Sequence, residues 1–313
     1  MPRPVPLPIL VFSILVSLAA GCPVDDDDVT GDDDIGDDDT GDDDTTAAAP
    51  VTFVCTEPVS LGEPINSSSS EMGPSLSPDG LRLYFSSGRE GGAGSADIWV
   101  AERAVQGEPW GEPWNLGAPV NGSGGQTNPV VSPDGAQLVY GGNRNGNYDL
   151  WAHDREGDGW GMPYCLDTLA SDDLENKPAF SWDGGELFFK RSDPSLVSNI
   201  WASSWLGDDW GEAELVTDLN DDRAQTDPAP DPAGDVMFFV QGNDTESPFD
   251  VFYAVRDGEG WGWITPLPGV SIDGAKDEGI YVGPDGREFL MVSNRDDPAD
   301  KELYTFTCER AAG

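Results

Sequence analysis

Histidine is almost missing from this chain: His153 is the only one in 313 residues. A single imidazole cannot build a multi-histidine zinc site. It also follows the third strand of the second repeat described below, toward the rim, where it does not serve a channel-centred Ser-His-Asp triad. Basic residues are scarce too, with 16 Lys and Arg against 59 Asp and Glu and a formal charge of −43. Nucleic-acid binding needs a basic face that displaces counterions, so that class is excluded. A polybasic grip on anionic lipid is excluded on the same ground. No Cys-His pairing, phosphate loop or nucleotide fingerprint occurs. What the chain has in quantity is Gly (39) and Pro (26) among Val, Phe, Tyr and Trp, the mixture of an all-β domain with many turns.

The N-terminus reads as an address. One positive charge, Arg3, precedes an apolar run from about Ile9 to Ala20. The run is too short to span a bilayer comfortably and has the length of a signal-peptide core. It ends in Leu18-Ala19-Ala20-Gly21-Cys22, which resembles a bacterial lipobox with Ala19 where the pattern prefers Leu. The resemblance implies a signal peptide over 1–21, lipidation of Cys22, and attachment to a bacterial membrane, with outer membrane or cell surface expected. Residues 22–50 then carry thirteen aspartates in four runs, Asp25–Asp28, Asp32–Asp34, Asp37–Asp39 and Asp42–Asp44. Such a segment buries too little apolar surface to fold, so a solvated tether reaching roughly 90 Å at full extension is expected. Calcium is the alternative ligand of these carboxylates, although the alternating Asp-x-Asp-x-Asp-Gly spacing is absent. The opening resembles those of myxobacterial lipoproteins.

Residues 51–313 repeat. Turn glycines fall at Gly80, Gly135, Gly184, Gly234 and Gly286, 49 to 55 residues apart, the period of a propeller blade. The lead-ins are PSLSPDG, PVVSPDG, PAFSWDG, PAPDPAG and IYVGPDG, and three residues beyond each glycine stands Leu83, Leu138, Leu187, Met237 or Phe289. Third strands follow in DIWVA, DLWAH, NIWAS, DVFYA and ELYTF. Four units continue through a turn tryptophan (Trp110, Trp160, Trp210, Trp261) into a fourth strand. The expectation is an all-β, five-bladed β-propeller of four-stranded antiparallel blades. The fifth unit stops after its third strand, while Thr56–Asn66 (TEPVSLGEPIN) reads like the fourth strand of the first, GEPWNLGAPVN. The N-terminal strand is therefore expected to close the last blade, and a Cys55–Cys308 disulfide to lock the ring. Cys165 is left over as a buried thiol.

The unit SPDGLRLYFSSGREGGAGSADIWVAER resembles the WD-repeat-like propeller unit of the TolB type. The resemblance covers about residues 55–310 and implies a propeller at the cell envelope. The TolB pattern carries six blades and an additional N-terminal domain, against five units counted here.

Three residues before each leading Pro (or Ile280) stand Glu71, Gln126, Glu175, Gln225 and Asp277, acid or amide in every unit. The loop after the second strand adds Arg89, Arg144, Arg191 and Arg295, with Gln241 in the fourth unit. Two rings at one channel mouth suit a peptide, a sugar or a metal ion. The alternative is that each acid pairs with its arginine or caps a turn. Trp99, Trp151, Trp201 and the turn tryptophans are expected in packing; Trp114, Trp182, Trp205 and Trp263 are candidates for an exposed platform. The functional expectation is a monomeric, non-catalytic module binding an envelope protein or glycan, with no catalytic residue, no resident metal and no cofactor. A glycoside hydrolase using Glu71, Glu175 and Asp277 is the alternative, and a purely structural envelope scaffold is the third.

Overall fold

The computed structural model describes residues 51–311 apart from 145, 194–196, 243–248 and 259. The signal peptide, Cys22 and the aspartate tether lie outside the described residues. Twenty-two strands form five antiparallel sheets, with one 3-10 turn (Thr217–Leu219) and no α-helix among the described residues. Blade one is β3 (Glu71–Leu76), β4 (Arg82–Ser87), β5 (Asp97–Glu102) and β6 (Trp114–Asn115). Blade two is β7 (Gln126–Val131), β8 (Gln137–Gly142), β9 (Asp149–Glu156), β10 (Gly159–Trp160) and β11 (Tyr164–Cys165). Blade three is β12 (Leu174–Phe180), β13 (Glu186–Ser192), β14 (Ser198–Ser204) and β15 (Glu214–Leu215); blade four is β16 (Ala224–Pro230), β17 (Val236–Gly242), β18 (Asp250–Asp257) and β19 (Gly260–Pro266). Blade five combines β20 (Asp277–Val282), β21 (Glu288–Ser293) and β22 (Glu302–Arg310) with β1 (Phe53–Cys55) and β2 (Val59–Ser60) from the other end of the domain.

The second strands explain the ring. Successive side chains of a strand point to opposite faces, yet LFF, MFFV and FLMV are apolar at every position. Both faces of each blade therefore need a neighbour. Met237 and Phe239 pack with Phe188 and Ile200 of blade three, while Val236, Phe238 and Val240 pack with Phe289, Met291 and Phe306 of blade five. The buried clusters all straddle two adjacent blades: one and two, two and three, three and four, four and five, five and one.

Closure follows the expected register. Phe53, Val54 and Cys55 pair antiparallel with Arg310, Glu309 and Cys308, and Val59 and Ser60 pair with Thr305 and Tyr304. Asn66 shows that this segment is the missing outer strand. Its amide donates to Leu303 O (3.0 Å) and accepts from Leu303 N–H (2.9 Å), as Asn121 does with Ile98 in blade one and Asn220 with Ile200 in blade three. Cys55 and Cys308 are disulfide-bonded across 253 residues. Cys165 is half-buried rather than buried, because β11 lies at the outer edge of its sheet. Burial and the carboxylates of Asp149, Asp167 and Glu175 push its thiol up to about 12.

In the chain-entropy view a cross-link over so long a loop removes about 5 kcal/mol of denatured-state freedom. The variant Cys55→Ser is expected to lose most of that in denaturant unfolding of the full chain. An unchanged midpoint would show that β1 and β2 dock well enough without it.

Candidate functional site

The five expected mouth residues lie at matching positions, at or next to the first residue of each inner strand, and their side chains are completely buried. A carboxylate taken out of water needs compensating partners. Both oxygens of Glu71 and Asp277 have them, whereas Glu175 Oε2 has none and burial pushes the Glu175 pKa above its ordinary value. Glu71 accepts from Ser67 N–H (3.0 Å), Ser67 Oγ (2.7 Å) and Ser87 Oγ (2.9 Å), and pairs with Arg89 at 2.9 Å. Glu175 accepts from Ser171 Oγ and pairs with Arg191 at 2.8 Å. Asp277 accepts from Ile272 N–H (2.9 Å) and Ser293 Oγ (2.6 Å) and pairs with Arg295 at 2.7 Å. Gln126 takes Gly122 N–H at 3.0 Å.

The arginines reach past these partners to the chain entering the blade. Arg89 donates to the carbonyls of Pro64 and Ile65, Arg144 to Pro119 and Val120, Arg191 to Leu169 and Arg295 to Val270. Their guanidinium groups lie over Trp99, Trp151, Trp201 and Tyr304 of the third strands, 4.4 to 5.6 Å from the ring centroids. This is the packing role expected of the mid-strand tryptophans. Blade two breaks the pairing: Arg144 bonds Tyr140 Oη (3.1 Å), and Gln126 has no charge to offer it. Blade four moves the acid into the loop, where Asp221 accepts from both Gln225 and Gln241. In the structure the two rings thus form clasps on the connecting segments, and their polar atoms face inward. The reason is geometric: the inner strand starts beneath the loop it follows, so a side chain there turns back under that loop.

The groups that line the channel are two residues further on. Each inner strand is irregular at this point, and Gly73, Asn128, Lys177, Asp227 and Gly279 all take φ between +52° and +64°. Glycine adopts this conformation freely and Asn or Asp with little penalty, whereas a lysine there costs about 1 kcal/mol. Strain of this kind clusters at functional positions. Lys177 Nζ pairs with Asp227 at 2.6 Å, and Glu278 pairs with Lys301. Burial works against the Lys177 ammonium, but Asp227 and Glu278 outweigh it and hold its pKa above the ordinary lysine value. Glu278 is held below the usual carboxylate range by Lys177 and Lys301 despite its burial. The throat between these strands is a cavity of only about 40 Å³, room for a few waters. Below it Val131, Phe180, Trp182, Ala229 and Tyr281 line a smaller apolar space. The available signal was the residue immediately before each leading Pro or Ile280, a column of Gly, Asn, Lys, Asp and Gly that tolerates positive φ.

His153 sits inside β9 and is fully buried, not beyond the strand toward the rim. Nδ1 bonds Gly161 O (2.7 Å) and Nε2 bonds Tyr140 Oη (3.1 Å). Of the platform candidates, Trp114, Trp205 and Trp263 are exposed, whereas Trp182 is partly buried and donates to Pro230 O. Among the described residues no group of three or more His, Cys, Asp or Glu stands close enough to hold a metal ion.

No family model matches the chain, and no curated protein matches it. Solved structures do. TolB from Acinetobacter baumannii superimposes with a TM-score of 0.50 at 15% identity over 79% of this chain, which spans 56% of that one. A thermostable family-43 glycoside hydrolase gives 0.56 at 13% identity, covering 80% of this chain and 92% of the other. An α-L-arabinofuranosidase from Podospora anserina in complex with cellotriose gives 0.51 at 13% identity, covering 83% and 97%. The fold shared with these structures is a β-propeller, here with five blades.

Two outcomes are expected. Glu175→Ala leaves buried Arg191 unpaired and destabilises the domain by about 3 kcal/mol, whereas Glu175→Gln, the residue type of blades two and four, is tolerated far better. Denaturant unfolding that ranks the two variants equally would reject the clasp. Burial lowers the pKa of His153 below its ordinary value. The unfolded chain therefore takes up a proton first as pH falls. The contribution of His153 is fully present above about pH 6.5 and is lost below it. The fall in unfolding midpoint from neutral to mildly acidic pH should shrink in His153→Gln.

Proposed function

We propose that this chain is an exported, lipid-anchored protein whose propeller is non-catalytic and binds a protein or glycan partner at the bacterial envelope. The observation that carries this reading is the state of the candidate hydrolytic carboxylates. Glu71, Glu175 and Asp277 are wholly buried, and each is ion-paired to an arginine of its own blade. Glycoside hydrolysis needs one carboxyl at the leaving oxygen and another at the anomeric carbon or its water. Side chains locked beneath loops reach neither.

Binding at the mouth then falls to the groups that do face the channel: Lys177 and Asp227, with Glu278 and Lys301 beside them. The rings of acids, amides and arginines serve that surface indirectly by fixing its loops. The lipidated Cys22 and the acidic segment to residue 50 supply anchor and reach, and the monomeric domain hangs at the end of the tether.

The test replaces Lys177 and Asp227 together by Asn, the residue that blade two carries at this position. Capture of a partner from envelope extracts should be lost while the melting transition is retained. Undiminished capture would reject the mouth, and sugar release from a polysaccharide panel by the wild-type chain would replace binding with hydrolysis.

A further inference from the structure

One interblade groove departs from the pattern of the others. In every blade a residue at or just past the end of the third strand donates its N–H to the residue after the turn glycine: Arg103 to Leu81, Arg155 to Ala136, Trp205 to Gly185, Arg256 to Asp235 and Cys308 to Arg287. In blades one, two and four its guanidinium lies over the turn tryptophan, 4.2 Å from Trp110, 4.8 Å from Trp160 and 4.4 Å from Trp261. Two of these arginines also cross to a glutamate of the preceding blade, Arg103 to Glu288 and Arg256 to Glu186. Blade three has an indole instead. Trp205 packs edge-on against Trp210 at 5.2 Å, and Gln137 of blade two stands two residues past its turn glycine, where blades three and five carry those glutamates.

The groove between blades two and three measures about 490 Å³, against about 320 Å³ for those between one and two and between three and four. Its wall holds Trp205, 42% exposed, beside Phe180, with Gln137 and the carboxylates Asp134, Asp154 and Asp183; no Lys or Arg is among its lining residues. Trp210, 4% exposed in the same wall, has an indole N–H with no hydrogen-bond partner. An unmet buried donor asks for an acceptor oxygen. A basic side chain stacks on an indole and pairs with aspartates, but its head offers no acceptor. A sugar hydroxyl both donates and accepts, and a pyranose presents an apolar C–H face to an aromatic plane.

We propose that this groove is a saccharide subsite, separate from the channel mouth, that stacks one pyranose of an uncharged glycan on Trp205. Asp134, Asp154 and Gln137 hold its hydroxyls, and an oxygen of the sugar takes the Trp210 N–H. The three carboxylates repel uronates and other acidic sugars. The site deepens the binding reading by naming a ligand class, and it uses none of the throat residues.

The experiment applies the full chain to an array of neutral, acidic and amino glycans and follows positive spots by titration calorimetry. Trp205→Arg is the informative variant, because it installs the residue that three other blades already carry and so has a precedent for folding. The expected result is binding of neutral oligosaccharides only, weakened about tenfold or more in Trp205→Arg with an unchanged melting transition. The Lys177→Asn, Asp227→Asn double variant should bind as wild type. No glycan binding, equal binding by Trp205→Arg, or preference for a basic peptide such as tri-arginine overturns the subsite. Partner capture at the mouth is read separately, so either proposal can fail alone.

Discussion

The structure depends on one constraint: a sheet that is apolar on both faces cannot exist by itself. Each second strand places large side chains on both sides, so each blade is stable only between two others. A row of such blades would leave two greasy ends. The ring removes them, and the hydrogen bonds of β1 and β2 to β22 join the first segment of the domain to the last. The disulfide reinforces that junction, while the packing between blades determines that a junction is needed.

The arginine clasps follow from the same constraint. Stacking blades radially forces the chain to drop from the outer edge of one blade to the inner edge of the next, and the crossing segment exposes backbone carbonyls with no strand beside them. Arg89, Arg144, Arg191 and Arg295 satisfy those carbonyls, and a buried guanidinium in turn demands a carboxylate or a ring face. Glu71, Glu175 and Asp277 supply the first, and Trp99, Trp151, Trp201 and Tyr304 the second. A residue pattern repeated around the wheel is therefore the mark of one structural problem met blade after blade, and the places where the pattern lapses are better guides to binding.

Much of this architecture was legible in the chain. The spacing of the turn glycines, the strand patterns and the echo of GEPWNLGAPVN in TEPVSLGEPIN specify blade number, closure and the Cys55–Cys308 pair, because repetition averages away the ambiguity of any single segment. Orientation was not legible. Glu71 and its counterparts stand at the right end of the inner strand, but whether a side chain there faces the channel or folds back depends on the irregular turn of Gly73, Asn128, Lys177, Asp227 and Gly279. Only Lys177 breaks the preference of that column for residues at ease with positive φ. His153 was misplaced for a related reason: β9 runs on to Glu156, so an imidazole expected beyond the strand lies within it. Trp205 was visible as an irregular tryptophan. Its meaning came only when hydrogen bonding put it in register with Arg103, Arg155 and Arg256.

The meeting of the chain's two ends within one sheet has a further consequence. Where the polypeptide begins is, for this architecture, a matter of where the circle happens to be cut. Joining residue 51 to residue 311 and reopening the backbone at another crossover would preserve all five interblade cores. The closing blade would then be a different one, and the cystine would fall inside a continuous hairpin instead of bridging the extremities. Gene rearrangements that rotate the order of repeats are thus structurally silent here, and relatives of this wheel can carry their anchors on any spoke.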